Sequence, residues 1–284
     1  MTQNTLQSLA FRRHIALPQD HGSWVFIFSP LLIGLFTGGS WSAATGLLIL
    51  GAIAAFLIRQ PITIITKALS GRRSGQQAAR ELPAAYFWVA VYASLLAIST
   101  AGLVLLGFGY VLLLAIPGLP VFAWHLLLVS RRAERRQIGV EIVGVGVLAL
   151  AAPAAYWVGV GAPAVTGLWL WLLVWFQSAA SIVYAYQRLE QRTLKVYPDL
   201  RTCLSMGRRS LIYTSFNLGA VSLLSAYQVL PLLLPLAYLI QWIESIWGTI
   251  FPAVGYKPTR IGIRQLIVSC LYTLVFILIW NLGI

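Results

Sequence analysis

Long apolar stretches alternate in this chain with gaps that are either strongly basic or free of charge, and all twenty Lys and Arg residues fall into the basic set. Arg12 and Arg13 precede the first stretch. The basic gaps hold Arg59, Lys67, Arg72, Arg73 and Arg80; then Arg131, Arg132, Arg135 and Arg136; then Arg188, Arg192, Lys195, Arg201, Arg208 and Arg209; and last Lys257, Arg260 and Arg264. The gaps around Gly38-Gly39, Gly107-Gly109, Gly161-Pro163 and Tyr227-Pro231 carry no charge. Loops rich in Lys and Arg stay cytoplasmic, so the alternation predicts both the passes and their direction.

A helix needs about 20 apolar residues to cross a hydrocarbon core of ~30 Å. The segments that qualify as helical passes are 23–37, 41–58, 84–106, 109–129, 138–160, 165–187, 210–226, 232–253 and 265–282. The expectation is an all-α polytopic membrane protein, a bundle of about nine transmembrane helices with a cytoplasmic N-terminus. Residues 1–22 form a cytoplasmic N-terminal segment, and 23–284 a single transmembrane domain. The first two segments are short, so an interfacial hairpin is the alternative there. The first is expected to be retained rather than cleaved as a signal peptide. The long basic gaps contain two amphipathic pieces, one beginning at Gln60-Pro61 and one over 192–206, expected to lie on the membrane surface.

Composition agrees with lipid as the solvent. Of 284 residues, 59% are hydrophobic and 10% charged, whereas a soluble domain carries about a quarter charged residues. The formal charge of +13 sits in short loops that face anionic headgroups, and no soluble basic module for nucleic acid is visible. Cys203 and Cys270 lack metal-type spacing and a disulfide framework. The expected location is the cell's inner, plasma membrane, with an internal bacterial membrane as the other setting.

In hydrocarbon, each polar side chain needs a partner, water or a role. Glu244 lies within the eighth segment, and helical spacing puts Gln241, Ser245 and Gly248 on its face. It is either an interhelical ion pair or a ligand or proton site. Glu141 starts the fifth segment, where the helix dipole favours a carboxylate. Gln177, Ser181, Tyr184 and Arg188 recur at i, i+4, i+7 and i+11 and form a polar stripe expected to face the bundle interior. Asp20-His21-Gly22 precedes the first segment: Asp20 suits a helix cap, or Asp20 and His21 line a cytoplasmic pocket. His14 and His125 are expected at interfaces or in packing.

The run Pro18-Gln19-Asp20-His21-Gly22-Ser23-Trp24, followed by Ser29-Pro30-Leu31-Leu32-Ile33-Gly34-Leu35, resembles the opening motif of the YwiC-like family, Pro-x-Glu-His-Gly-x-Trp followed by Pro and Gly-Leu. Asp20 shortens the usual Glu and keeps the carboxylate. Arg59-Gln60-Pro61, Glu134-Arg135 leading to Glu141, Tyr184 to Arg188, and Lys257-Pro258 with Arg260-Ile261-Gly262 look similar too. The resemblance implies an integral membrane protein and specifies no reaction. Nine helices with long cytoplasmic gaps after the second and sixth are also similar in layout to the UbiA prenyltransferase superfamily. That likeness implies carboxylate motifs holding Mg²⁺ in those gaps. This chain has basic residues there instead, so no metal or other cofactor is expected.

Arginine forks bind phosphate without a metal. The expected function is therefore binding of an anionic lipid or phosphorylated isoprenoid in an intramembrane cleft open to the cytoplasm, with Arg59, Arg188 and Arg192 at its mouth. The candidate ligand-binding set is Asp20, His21, Arg59, Glu141, Gln177, Tyr184, Arg188, Arg192 and Glu244. Membrane lipids are the expected partners. Plain positive-inside topology explains the same charges without a ligand. A proton-coupled secondary transporter built around Glu244 and a membrane assembly or scaffold protein are the competing classes.

Overall fold

The structure is a computed structural model that describes residues 13–18, 21–73, 75–133 and 137–283. Among these residues every regular element is helical. A single turn at Arg13–Ala16 and a 3₁₀ turn at His21–Trp24 lead into α1 (Val25–Gly38), α2 (Ala43–Leu69) and α3 (Gly75–Leu105). A 3₁₀ segment, Gly109–Ala115, runs into α4 (Gly118–Ser130), followed by α5 (Ile138–Leu148), α6 (Ala151–Val160) and α7 (Val165–Gln191). The chain closes with α8 (Leu200–Ala226), α9 (Pro235–Ile250) and α10 (Pro258–Leu282). This is an all-α, multi-pass membrane protein.

All nine expected segments are helical, but six helical stretches, not nine, are long and apolar enough to span a bilayer. They are α2, α3, the 3₁₀ segment with α4, α5 with α6, α7 and α10. Gly22–Gly38 is apolar but shorter. The α9 helix has 16 residues, and α8 carries Arg201, Arg208 and Arg209 with several Ser, Thr and Asn side chains. Length and hydropathy therefore support six crossings among the described residues.

The largest departure from expectation concerns the long cytoplasmic gaps. The surface pieces at 60–69 and 192–206 do not form separate helices. Helix α2 runs through Pro61 to Leu69, α3 starts at Gly75 and contains Pro83, and α8 starts at Leu200. Extending a formed helix adds a hydrogen bond per residue without a new nucleus, so extension beats a separate short helix. Among the described residues, 70–73 and 192–199 are what lies between these helices, so the gaps are shorter than the layout behind the UbiA-like comparison assumed. A reverse effect breaks the fifth segment between α5 and α6. Pro153 cannot donate to the Ala149 carbonyl four residues back, and that oxygen accepts from the Ala152 amide at 3.0 Å instead.

Two apolar clusters build the core. Leu170, Leu173, Val174, Tyr238, Tyr272 and Phe276 join α7, α9 and α10, with Ile33 of α1 packed among them. Leu31, Leu35, Leu48 and Val158 join α1, α2 and α6. Lipid offers no hydrophobic force between helices, so close approach through small residues must hold them. Helices α1 and α6 meet this way: Gly38 and Gly159 touch backbone to backbone, and a Cβ on Gly34 would collide with the Ala152 carbonyl. Upstream, Ile15 is fully buried against Ile64, Ala84 and Ala85. Gln60 Nε2 donates to the His14 carbonyl at 2.9 Å and Tyr92 Oη to that of Ala16 at 3.0 Å. The segment before α1 is thus pinned to the basic ends of α2 and α3.

Replacing Gly34 by Leu should overpack the α1–α6 contact and cost about 1–3 kcal/mol. A drop in detergent unfolding temperature, absent in a Gly46→Leu control whose Cβ would meet open space, is the expected result.

Candidate functional site

The α9 helix stops because of its sequence. Phe251 precedes Pro252, and the residue before a proline is disfavoured in helical backbone; Phe251 has φ −112° and ψ 85°. Pro252 also has no N–H to offer the Gly248 carbonyl four residues earlier. A buried carbonyl left without a donor is costly, and α7 supplies the donors. Arg188 Nη1 reaches the Gly248 oxygen at 2.6 Å and the Phe251 oxygen at 2.8 Å, and Gln191 Nε2 reaches Gly248 at 3.1 Å. Gln191 Oε1 in turn accepts from Arg188 at 2.9 Å and from the Ala253 amide at 3.3 Å. Arg188 is only 2% exposed: its charge caps the negative end of α9 from a neighbouring helix.

One turn back along α7 from Arg188, Tyr184 Oη donates to Glu244 Oε1 at 2.6 Å. Arg264 of α10 grips the same carboxylate with both prongs, Nε to Oε1 at 2.6 Å and Nη2 to Oε2 at 2.8 Å. Bidentate charge-assisted pairs of this kind are among the stronger polar contacts. Further along, Gln265 Nε2 donates to Ser181 Oγ at 2.6 Å and Gln241 Oε1 at 2.8 Å, and Gln187 Nε2 to Thr249 Oγ1 at 3.1 Å. The polar stripe of α7 and the Gln241–Glu244–Ser245–Gly248 face of α9 therefore meet each other and α10 inside the bundle. Packing is close enough that a methyl on Gly248 would strike the Tyr184 ring and hydroxyl.

Beside this knot a cleft of about 780 Å³ opens, lined by Glu244, Tyr256, Lys257, Arg260, Arg264, Ile263, Ile267 and Val268 among others. Its cations follow i, i+3, i+7 spacing from the start of α10, where Lys257 is the N-cap and Pro258 the first helical residue. The apolar wall of Ile263 and Ile267 is 59% and 54% exposed. Behind it lies a cavity of about 20 Å³, room for one water, bordered by Tyr184, Arg188, Glu244, Tyr256, Arg260, Ile261 and Arg264.

The structure brings Tyr184, Arg188 and Glu244 together and holds other candidates elsewhere. Arg192 Nε donates to the Tyr256 carbonyl at 3.2 Å, which steadies the cleft wall. Arg59 lies on α2 with its guanidinium 5.1 Å from the Phe56 ring centroid and borders neither cavity. Glu141 accepts from Tyr186 Oη at 2.5 Å. Gln177 is buried two turns from Tyr184, and its Nε2 has no hydrogen-bond partner. His21 opens the first 3₁₀ turn, and Asp20 lies outside the described residues. Sequence reasoning read Lys257, Arg260 and Arg264 as topology charges, with Lys257 and Arg260 also in family-like runs, and placed none of them in the candidate site. Their shared helical face was readable, but the carboxylate and rings they meet were not. Among the described residues no group of three or more His, Cys, Asp and Glu side chains could hold a metal ion. The donor set of the cleft is cationic and does not fit the Mg²⁺ that a UbiA-like reading implies.

A family model described as YwiC-like protein matches residues 17–156. Over that stretch, just under half of the chain, the protein is similar to that family. The opening motif and α1 to α5 lie within the match, together with most of α6, whereas the Glu244 knot lies beyond it in α7, α9 and α10. No curated relative and no solved structure matches the chain.

Arg188→Met should leave the Phe251 carbonyl without its donor and cost about 1–3 kcal/mol. Gly248→Ala should also destabilise, by displacing Tyr184. Thermal unfolding of both variants in one detergent checks this, and unchanged midpoints would remove the capping role.

Proposed function

We propose that the protein binds an anionic lipid in the cleft between α9 and α10, entering from the basic, cytoplasmic side of the plasma (inner) membrane. The observation that carries this reading is the amphipathic lining. Lys257, Arg260 and Arg264 cluster at one end and Ile263, Ile267 and Val268 along the wall, which suits a charged headgroup continuous with an acyl or isoprenoid chain. Lys257, Arg260 and Arg264 take the place of Arg59 and Arg192 as the ligand contacts, and Arg188 borders the small cavity behind them. Lys and Arg near a membrane surface attract anionic lipid by roughly 1 kcal/mol each, and a guanidinium fork adds geometric fit to phosphate. Arg264 meets the lipid already oriented, since Glu244 and Tyr184 fix it on its inner side. A carboxylate engaged by three donors suits this positioning role better than proton coupling.

Native mass spectrometry from nanodiscs containing phosphatidylglycerol tests the proposal. The Lys257→Ala/Arg260→Ala double variant should retain roughly thirtyfold less of that lipid than the parent, the loss expected for about two cation contacts of this size. An unchanged lipid profile would reject it.

A further inference from the structure

Resting on that reading, we infer that the cleft selects a headgroup bearing at least two negative charges on phosphate, a phosphomonoester or diphosphate, over a singly charged phosphodiester. The first ground is a charge surplus. Arg188, Lys257, Arg260 and Arg264 border the cleft and the cavity behind it, and Glu244 is the one carboxylate among those lining residues. Four cations face one anion, leaving three positive charges, and Arg264 already holds both oxygens of that carboxylate. The innermost cation, Arg188, donates its hydrogen bonds to carbonyls and a side-chain amide rather than to a carboxylate. Around the buried Arg188 such repulsion is weakly screened, whereas Lys257 and Arg260 are exposed. A singly charged ligand leaves two positive charges uncompensated; a diphosphate or ionised phosphomonoester removes more of the surplus.

The second ground is how the cations are held. Arg264 lies 3.5 Å from the Trp247 ring centroid and Arg188 5.4 Å from it. Arg188 lies 5.9 Å from the Tyr256 centroid and Arg260 4.3 Å from it. The order is thus Arg264, Trp247, Arg188, Tyr256, Arg260, cation and ring alternating. The negative face of each ring attracts its neighbouring guanidinium and keeps like charges side by side before any ligand arrives. Preorganised cations avoid the ordering cost of binding. The positive end of α10, which starts at Lys257-Pro258, adds to the same field.

The experiment uses the full chain in phosphatidylcholine nanodiscs doped equally with phosphatidate and phosphatidylglycerol. At pH 8 a phosphomonoester is doubly ionised, its second pKa lying near 6. Native mass spectrometry should show phosphatidate retained about tenfold over phosphatidylglycerol, the gain of one further charge-assisted contact. Trp247→Leu, which keeps every cation, should bring the ratio close to one; Arg260→Gln should lower it as well if the first variant folds poorly. Equal retention of the two lipids by the parent would overturn the selectivity and leave the lipid-binding proposal standing. Retention of neither would overturn both. A third arm adds inorganic diphosphate to lipid-pure phosphatidylcholine nanodiscs. If that alone raises the unfolding temperature as far as phosphatidate does, the polyanion class is supported and the lipid source rejected.

Discussion

A carboxylate deep in a helical bundle is costly unless donors surround it, and in this protein the donors come from two other helices. Glu244 of α9 receives the Tyr184 hydroxyl of α7 and both prongs of Arg264 of α10. Three helices are therefore locked at one height, and the register of each polar face follows from that lock. Gln265 reaches Ser181 and Gln241, and Gln187 reaches Thr249, because the three faces are aligned there. The cleft is a by-product of the same constraint. Arg264 turns its inner side to Glu244, which leaves Lys257 and Arg260, near the start of α10, to face outward with it.

Proline placement does a second part of the work. Pro252 ends α9 short and strips the Gly248 carbonyl of its usual partner, which creates a demand that Arg188 fills from α7. Pro153 splits the fifth segment where α6 must approach α1 at Gly34, Gly38 and Gly159. Pro61 and Pro83, by contrast, sit inside continuous helices. The same residue type thus ends one helix, divides a second segment and is tolerated in three others, Pro30 in α1 being the third. Which outcome occurs depends on whether neighbours can satisfy the freed carbonyl, and that is a tertiary question.

The two parts of the chain differ in character. The YwiC-like stretch supplies apolar frame: α1 to α6 pack through small residues and aliphatic clusters. The polar knot belongs to α7, α9 and α10, beyond that stretch. The residues that build the knot and line the cleft beside it therefore lie where the family match does not reach.

Much of this was legible in one dimension. Apolar length and the confinement of cations to alternate gaps imply a helical membrane bundle, since only helices and closed barrels satisfy every backbone group in lipid. Periodicity picked out the buried faces of α7 and α9, including Glu244, Tyr184 and Arg188, because a helix repeats with a fixed pitch whatever surrounds it. Helix ends were not legible: the long basic gaps proved to be helix extensions. Nor could spacing along the chain show that Glu244 pairs with Arg264, twenty residues away, or that Arg59 lies apart from Arg188. Those facts depend on how helices rotate and lean against one another, which is settled by pairing buried charge and freed carbonyls in three dimensions.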